Sequence, residues 1–203
     1  MEPHRLAPGE RLNPGPPTEP RQAATVIVVR GGAEALEVLL LRRSPAARFM
    51  GGAWVFPGGA VDPGDSDHRA AAVRELAEEA GLTLPDAGVL IPFSRWITPR
   101  ELAVRFDTHF FVGPAPPGQE PRVDGSEMTD LGWWTPADAL AAGRARELLL
   151  VFPTIKHLEQ LADHRSADAL LAWAAGREVV PVEPRIGADG HRVVLASETG
   201  DVA

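Results

Sequence analysis

A helix-forming run with three glutamates on one face, entered through a Gly-Gly turn, restricts this chain more than any other feature. Ala70 to Ala80 is dense in good helix formers, and Gly81 follows as a natural C-terminal stop. Read as a helix, Glu75, Glu78 and Glu79 fall at i, i+3 and i+4 and share a face. Ala72, Val73, Leu76 and Ala80 make an opposing face of small apolar side chains that can lie close on a sheet. Like charges at this spacing weaken an isolated helix. Oxygen ligands grouped in this way suit Mg²⁺ or Mn²⁺, which relieve the repulsion. From the helix alone, a solvated acidic face would read the same.

The preceding segment adds weight to the metal reading. Ala53 to Phe56 is a strand candidate stopped by Pro57-Gly58-Gly59, and a turn with Asp62, Gly64 and Asp65 leads into the helix. Adjacent glycines allow close approach of a ligand to the backbone. Asp65 can reach Arg74 across the loop and brace the helix. Strand, glycine turn and acidic helix come in the order that a diphosphate and its cation need.

Elsewhere the pattern is mixed α+β. Ala24–Val29 and Val38–Leu41 are β-branched or leucine-rich runs joined through Gly31-Gly32, which suits a hairpin. Strand-like runs return at Val89–Trp96, Val104–Val112 and Leu131–Trp134. Pro136 is placed to open a short helix, Pro153–Ala162 and Ser166–Ala175 read as amphipathic helices, and Ile186–Leu195 reads as a hairpin about Asp189-Gly190. The 203 residues fit one domain over 23–203 with a helical C-terminal extension, and residues 1–22, rich in Pro and Gly, read as a flexible arm.

Composition excludes several classes. There is no cysteine, hence neither a disulfide framework nor a thiolate site, and no run approaches the apolar length of a membrane helix. A formal charge of -8 argues against a general nucleic-acid surface, but cations can reverse the field locally for a phosphorylated small molecule. The N-terminus lacks the layout of a signal peptide and the C-terminus ends Asp201-Val202-Ala203 rather than in a peroxisomal signal, so the expectation is a cytoplasmic protein with no membrane partner.

The residues around the helix resemble the Nudix hydrolase family, whose signature is G-x5-E-x7-R-E-U-x-E-E-x-G-U with U a bulky aliphatic. Arg74-Glu75-Leu76-Ala77-Glu78-Glu79-Ala80-Gly81-Leu82 matches its second half at every specified position. In the first half Asp65 stands where the family has Glu, and the spacer from Asp65 to Arg74 is one residue too long. The resemblance implies a mixed sheet sandwiched between helices, here with extra C-terminal helices and a hairpin. It also implies a hydrolase in which Glu75, Glu78 and Glu79 bind Mg²⁺ or Mn²⁺ and Arg74 orients them. A further acidic residue from a later loop is common in the family, with Glu127 as the candidate and Asp130 as fallback. Homodimerisation is an expectation from the likeness alone.

A second motif concerns substrate. Leu39, Leu40, Arg43, Ser44, Arg48, Gly52 and Phe56-Pro57-Gly58-Gly59 fall in register with the family's coenzyme A signature L-L-T-x-R-S-x3-R-x3-G-x3-F-P-G-G, with Leu41 in place of Thr. This likeness implies hydrolysis of coenzyme A or acyl-CoA, with Arg43, Arg48, Gly58 and Gly59 at the substrate. Arg42 could add a phosphate contact. ADP-ribose or a nucleoside di- or triphosphate is the alternative substrate, and a non-catalytic ligand-sensing module is the alternative of another class. Trp54, Trp96, Trp133 and Trp134 are candidates for stacking or core packing, with one of the last pair expected to face away from the core. His109 is expected as a hydrogen-bonded core residue.

Overall fold

The structure, a computed structural model, describes residues 6–195. Its centre is a mixed sheet built from β1 (Arg21–Arg30), β2 (Glu37–Arg43), β3 (Trp54–Val55), β4 (Gly58–Ala60), β5 (Ile91–Ile97), β6 (Phe106–Pro114), β7 (Met128–Trp134) and β8 (Pro181–Val182). The order runs β3-β2-β1-β6-β5-β8, with β4 added to β1 and β7 to β2. β1 lies parallel to β6 and antiparallel to β2 and β4.

Central strands buried on both faces read as nearly continuous apolar runs, and β1 shows why here. Ala24, Val26 and Val28 face α1 (His68–Ala80), where they pack with Ala72 and Leu76. Ile27 and Val29 face the opposite layer of α2 (Pro136–Arg144), α3 (Phe152–Leu161) and α4 (Ala167–Ala175). The sandwich expected of the sheet and helices is therefore present. The Ile186–Leu195 hairpin is also present as β9 (Arg185–Ile186) and β10 (Val193–Val194), with Asp189 accepting from the His191 and Arg192 amides at the turn.

Helix boundaries follow capping chemistry. α1 begins earlier than Ala70 because Asp67 caps it, accepting from the Ala70 amide at 2.8 Å. Gly81 ends the helix at φ 64, the left-handed conformation that glycine adopts without a Cβ penalty. β4 and β8 were not anticipated from the sequence, because Gly-Gly-Ala and Pro-Val have no strand pattern of their own.

Three expectations need correction. Arg21 and Gln22 belong to β1, and the described part of the arm runs along the domain: Met50 donates to Pro8 O at 2.7 Å, Asn13 to Glu101 O at 2.7 Å and Leu6 to His191 O at 3.1 Å. Pro-rich backbone can dock through single amides without any apolar period. Neither Trp133 nor Trp134 faces away from packing. Trp133 lies in the α1 layer under the Arg30 guanidinium, 4.2 Å from its ring centre, and Trp134 packs in the opposite layer against Trp54. His109 is stacked on His68 with ring centres 3.9 Å apart, and among the described residues no hydrogen bond to its ring is found.

Candidate active site

A cleft of about 440 Å³ opens on the α2–α4 side of the sheet, where Ala23, Thr25, Thr108 and Phe110 form the floor. α1 packs on the other face of β1, so its carboxylates must reach the cleft past the sheet edge. Gly58 and Gly59 in β4 let them through. A Cβ on Gly59 would stand 2.5 Å from Glu75 Oε1, and one on Gly58 would stand 2.5 Å from Ala24 O. No side chain larger than hydrogen fits at either position without displacing backbone or carboxylate.

Glu79 is buried and accepts a hydrogen bond from the Gly58 amide at 2.8 Å. Burial pushes its carboxyl up to about 8, against the Gly58 bond and Arg43, and repulsion from Glu75 and Glu127 adds to the rise. Glu75 is raised as well, first by burial, although Arg74 pulls the other way. Glu75, Glu79 and Glu127 all line the cleft. Glu127 sits on an exposed turn that Asp124 organises by accepting from the Glu127 and Met128 amides, each at 2.8 Å.

Arg74 sits at the centre of the acidic groups around the loop and helix. Its guanidinium donates from Nε and Nη2 to the two oxygens of Asp65 at 3.2 and 3.0 Å, to Ala60 O at 3.0 Å, and from Nη1 to Glu75 and Glu78 at 2.8 and 2.9 Å. Bidentate contact of this kind fixes geometry as well as charge. The shortened Asp65 therefore still spans to Arg74 despite the longer loop.

Among the described residues no three acidic or histidine groups stand gathered at metal-ligand distance. Arg74 holds Glu75 and Glu78, while Glu79 rests on Gly58 with Arg43 Nη1 4.0 Å away. The donor set nonetheless fits a hard divalent cation: Glu75, Glu79 and Glu127 offer carboxylate oxygens around one opening, and the ion pair of the buried Glu79 with Arg43 is a long one at 4.0 Å. Glu78 points outward, with its side chain 59% exposed, and is outside the cleft lining.

The other anticipated residues divide. Arg43 lines the cleft, and its buried Nε has no hydrogen-bond partner. Gly58 and Gly59 line it too. Arg48 is exposed and outside the lining, as is Arg42, because alternation along β2 turns Arg42 away from Arg43. Asp130 is exposed beside its own strand and accepts from the Leu131 amide. Trp96, a stacking candidate from the sequence, joins an apolar half of the cleft that sequence reasoning otherwise missed, formed with Phe49, Met50, Phe106, Val151 and Phe152. The period-two order Phe106, Thr108, Phe110 in β6 was the available signal for part of it.

The acidic helix of an α+β sandwich thus feeds carboxylates through a glycine strand into one cleft. The model of the NUDIX domain matches residues 19–152, and the chain belongs to the Nudix family of hydrolases. A Caenorhabditis elegans protein, nudix hydrolase 7, is 29% identical over an alignment covering 89% of this chain and 73% of its own length. The human acyl-coenzyme A diphosphatase NUDT19 is 24% identical, covering 85% of this chain and 76% of its own length. The crystal structure of a NUDIX hydrolase from Alicyclobacillus acidocaldarius superposes with a TM-score of 0.71 at 30% identity, covering 76% of this chain and 96% of that one.

Proposed function

We propose that this chain hydrolyses the diphosphate linkage of coenzyme A or an acyl-CoA, giving 3′,5′-ADP and (acyl-)4′-phosphopantetheine. The observation that carries the reading is the two-part cleft. Its carboxylate end is contiguous with an aromatic and aliphatic end, which suits a substrate with a diphosphate at its centre and a largely apolar arm. The arginine-glycine signature from Leu39 to Gly59 and the likeness to the human acyl-CoA diphosphatase support the same substrate.

Glu75, Glu79 and Glu127 would hold the divalent ion, which when bound polarises phosphate oxygens and lowers the pKa of water. The chain's own residues supply position and charge. Arg74 keeps Glu75 in place, the Gly58 amide fixes Glu79, and the Asp124 turn presents Glu127. Arg43, with unused donor capacity at the edge of the carboxylates, is placed to receive a phosphate oxygen. Water adds to one phosphorus, the bridging P–O bond breaks, and each product leaves as a phosphomonoester.

The test is a substrate panel with Mg²⁺ and with Mn²⁺, products being followed by chromatography. CoA or acyl-CoA is expected to be cleaved with the highest kcat/KM. Rapid cleavage of ADP-ribose or a nucleoside triphosphate with CoA intact would overturn the substrate. No metal-dependent release from any diphosphate would favour a ligand-sensing module.

A further inference from the structure

We infer that Arg21 is a specificity residue, binding an anionic group that the substrate carries away from its diphosphate. Two cationic side chains line the cleft, Arg43 and Arg21. Arg43 lies beside the carboxylates, whereas Arg21 opens β1 at the other end of the floor. Side chains alternate along a strand, so Arg21, Ala23 and Thr25 present themselves to the same face. Thr25 pairs with Gly58, the residue that donates to Glu79, and Arg21 pairs with Phe106 of the apolar half. Four residues of extended chain put the Arg21 backbone about 13 Å from the level of Glu79. The long arginine side chain can cover several ångströms of that span.

Arg21 is also free to act. Its backbone amide donates to Arg105 O, but among the described residues no side chain forms an ion pair or hydrogen bond with its guanidinium. Three carboxylates at this end of the domain are bound to other groups. Asp107 takes both bonds of Arg95 at 2.8 and 2.6 Å, Glu183 accepts from Arg105 at 3.0 Å, and Glu10 accepts from the Ala7 amide at 2.6 Å. Between Arg21 and the catalytic end the floor is Ala23 and Thr25, whose small side chains leave room for an extended ligand. In a chain of net charge -8, an unpaired guanidinium at the far end of an acidic cleft is a local attraction for a phosphate or carboxylate.

On the coenzyme A reading, the group is either a phosphate on the nucleoside or a carboxylate on the acyl arm. Paired substrates distinguish them: CoA against 3′-dephospho-CoA, and malonyl-CoA against acetyl-CoA. NADPH against NADH extends the test beyond that reading. Steady-state kinetics of the wild type, Arg21→Gln and Arg21→Lys would be measured on each pair. The wild type is expected to favour the more anionic member of at least one pair. Arg21→Gln should shrink that preference about tenfold, through KM and not kcat, and Arg21→Lys should restore part of it. A preference on the NADPH pair, with CoA and the acyl-CoAs left intact, would uphold Arg21 while overturning the coenzyme A substrate. Preferences that stay within twofold of the wild type in every pair would overturn the role of Arg21.

Discussion

Glu79 and His157 are both buried and titratable, yet they answer to different demands. Glu79 faces a cleft, where burial and repulsion from Glu75 and Glu127 raise its carboxyl. Glu79→Gln keeps the shape and the Gly58 contact but removes the charge. It is expected to lower metal-dependent hydrolysis at least a hundredfold while circular dichroism stays unchanged, and full activity would remove Glu79 from the metal site. His157 lies among Phe56, Phe93, Trp96 and Phe110. Its Nδ1–H donates to Pro153 O at 2.7 Å, which leaves Nε2 to accept from the Ser94 hydroxyl at 2.6 Å. Burial pushes the ring down to about 4, outweighing the Pro153 bond, so the folded protein holds it neutral. A depressed histidine stabilises the fold fully above the unfolded value, near 6.5, and that contribution is lost as pH falls from there towards 4. The loss is on the order of 3 kcal/mol. The Tm of the wild type should therefore fall more steeply between pH 6.5 and 4 than that of His157→Gln, and parallel curves would refute the assignment.

At the scale of elements, the join between β4 and α1 governs the site. Gly59→Ala would drive a methyl group into the Glu75 carboxylate, whose Oε1 lies 2.5 Å from the position of the new Cβ. Glu75 must then leave Arg74 or the strand must shift. The expected result is a loss of activity of at least tenfold with a small change in Tm, read from kcat and calorimetry on one preparation. Gly81→Ala separates stability from chemistry. At φ 64 the alanine costs about 1 kcal/mol, lowering Tm while kcat at saturating metal stays within twofold. A large drop in kcat there would mean that the helix end, and not only its carboxylates, tunes the site.

For the whole molecule, the carboxylates join α1 and the neighbouring β4 edge to the loop before β7, some way further along the chain. A divalent ion binding only the folded arrangement should stabilise it by mass action, about 2.7 kcal/mol at a hundred times Kd. Thermal melts with Mg²⁺ or Mn²⁺ should therefore rise with concentration and return on chelation, and Glu79→Gln should blunt the rise. Melting that is indifferent to both ions would argue against a metal held by these residues.

Local patterns were legible wherever one segment carried its own physics. The 3.6-residue period placed Glu75, Glu78 and Glu79 on one face, Gly81 marked the helix end, and Asp65 was within reach of Arg74 because loop and helix are contiguous. The Asp189-Gly190 turn and the alternation of apolar sheet and helix segments gave the α+β sandwich in the same way. The sequence could not show that β4 exists, since two glycines and an alanine become a strand only when β1 offers its edge. Nor could it separate Glu78, turned to solvent beside Arg74, from Glu75 and Glu79, which enter the cleft. That division depends on the sheet edge passing beneath one side of the helix. The aromatic half of the cleft and Arg21 are drawn from strands and loops distant along the chain, and only their packing makes them one surface. What the sequence determined by itself was the acidic helix and its brace. The tertiary structure decided which of those carboxylates share an opening and what else faces them, because both depend on contacts between segments that no local period encodes.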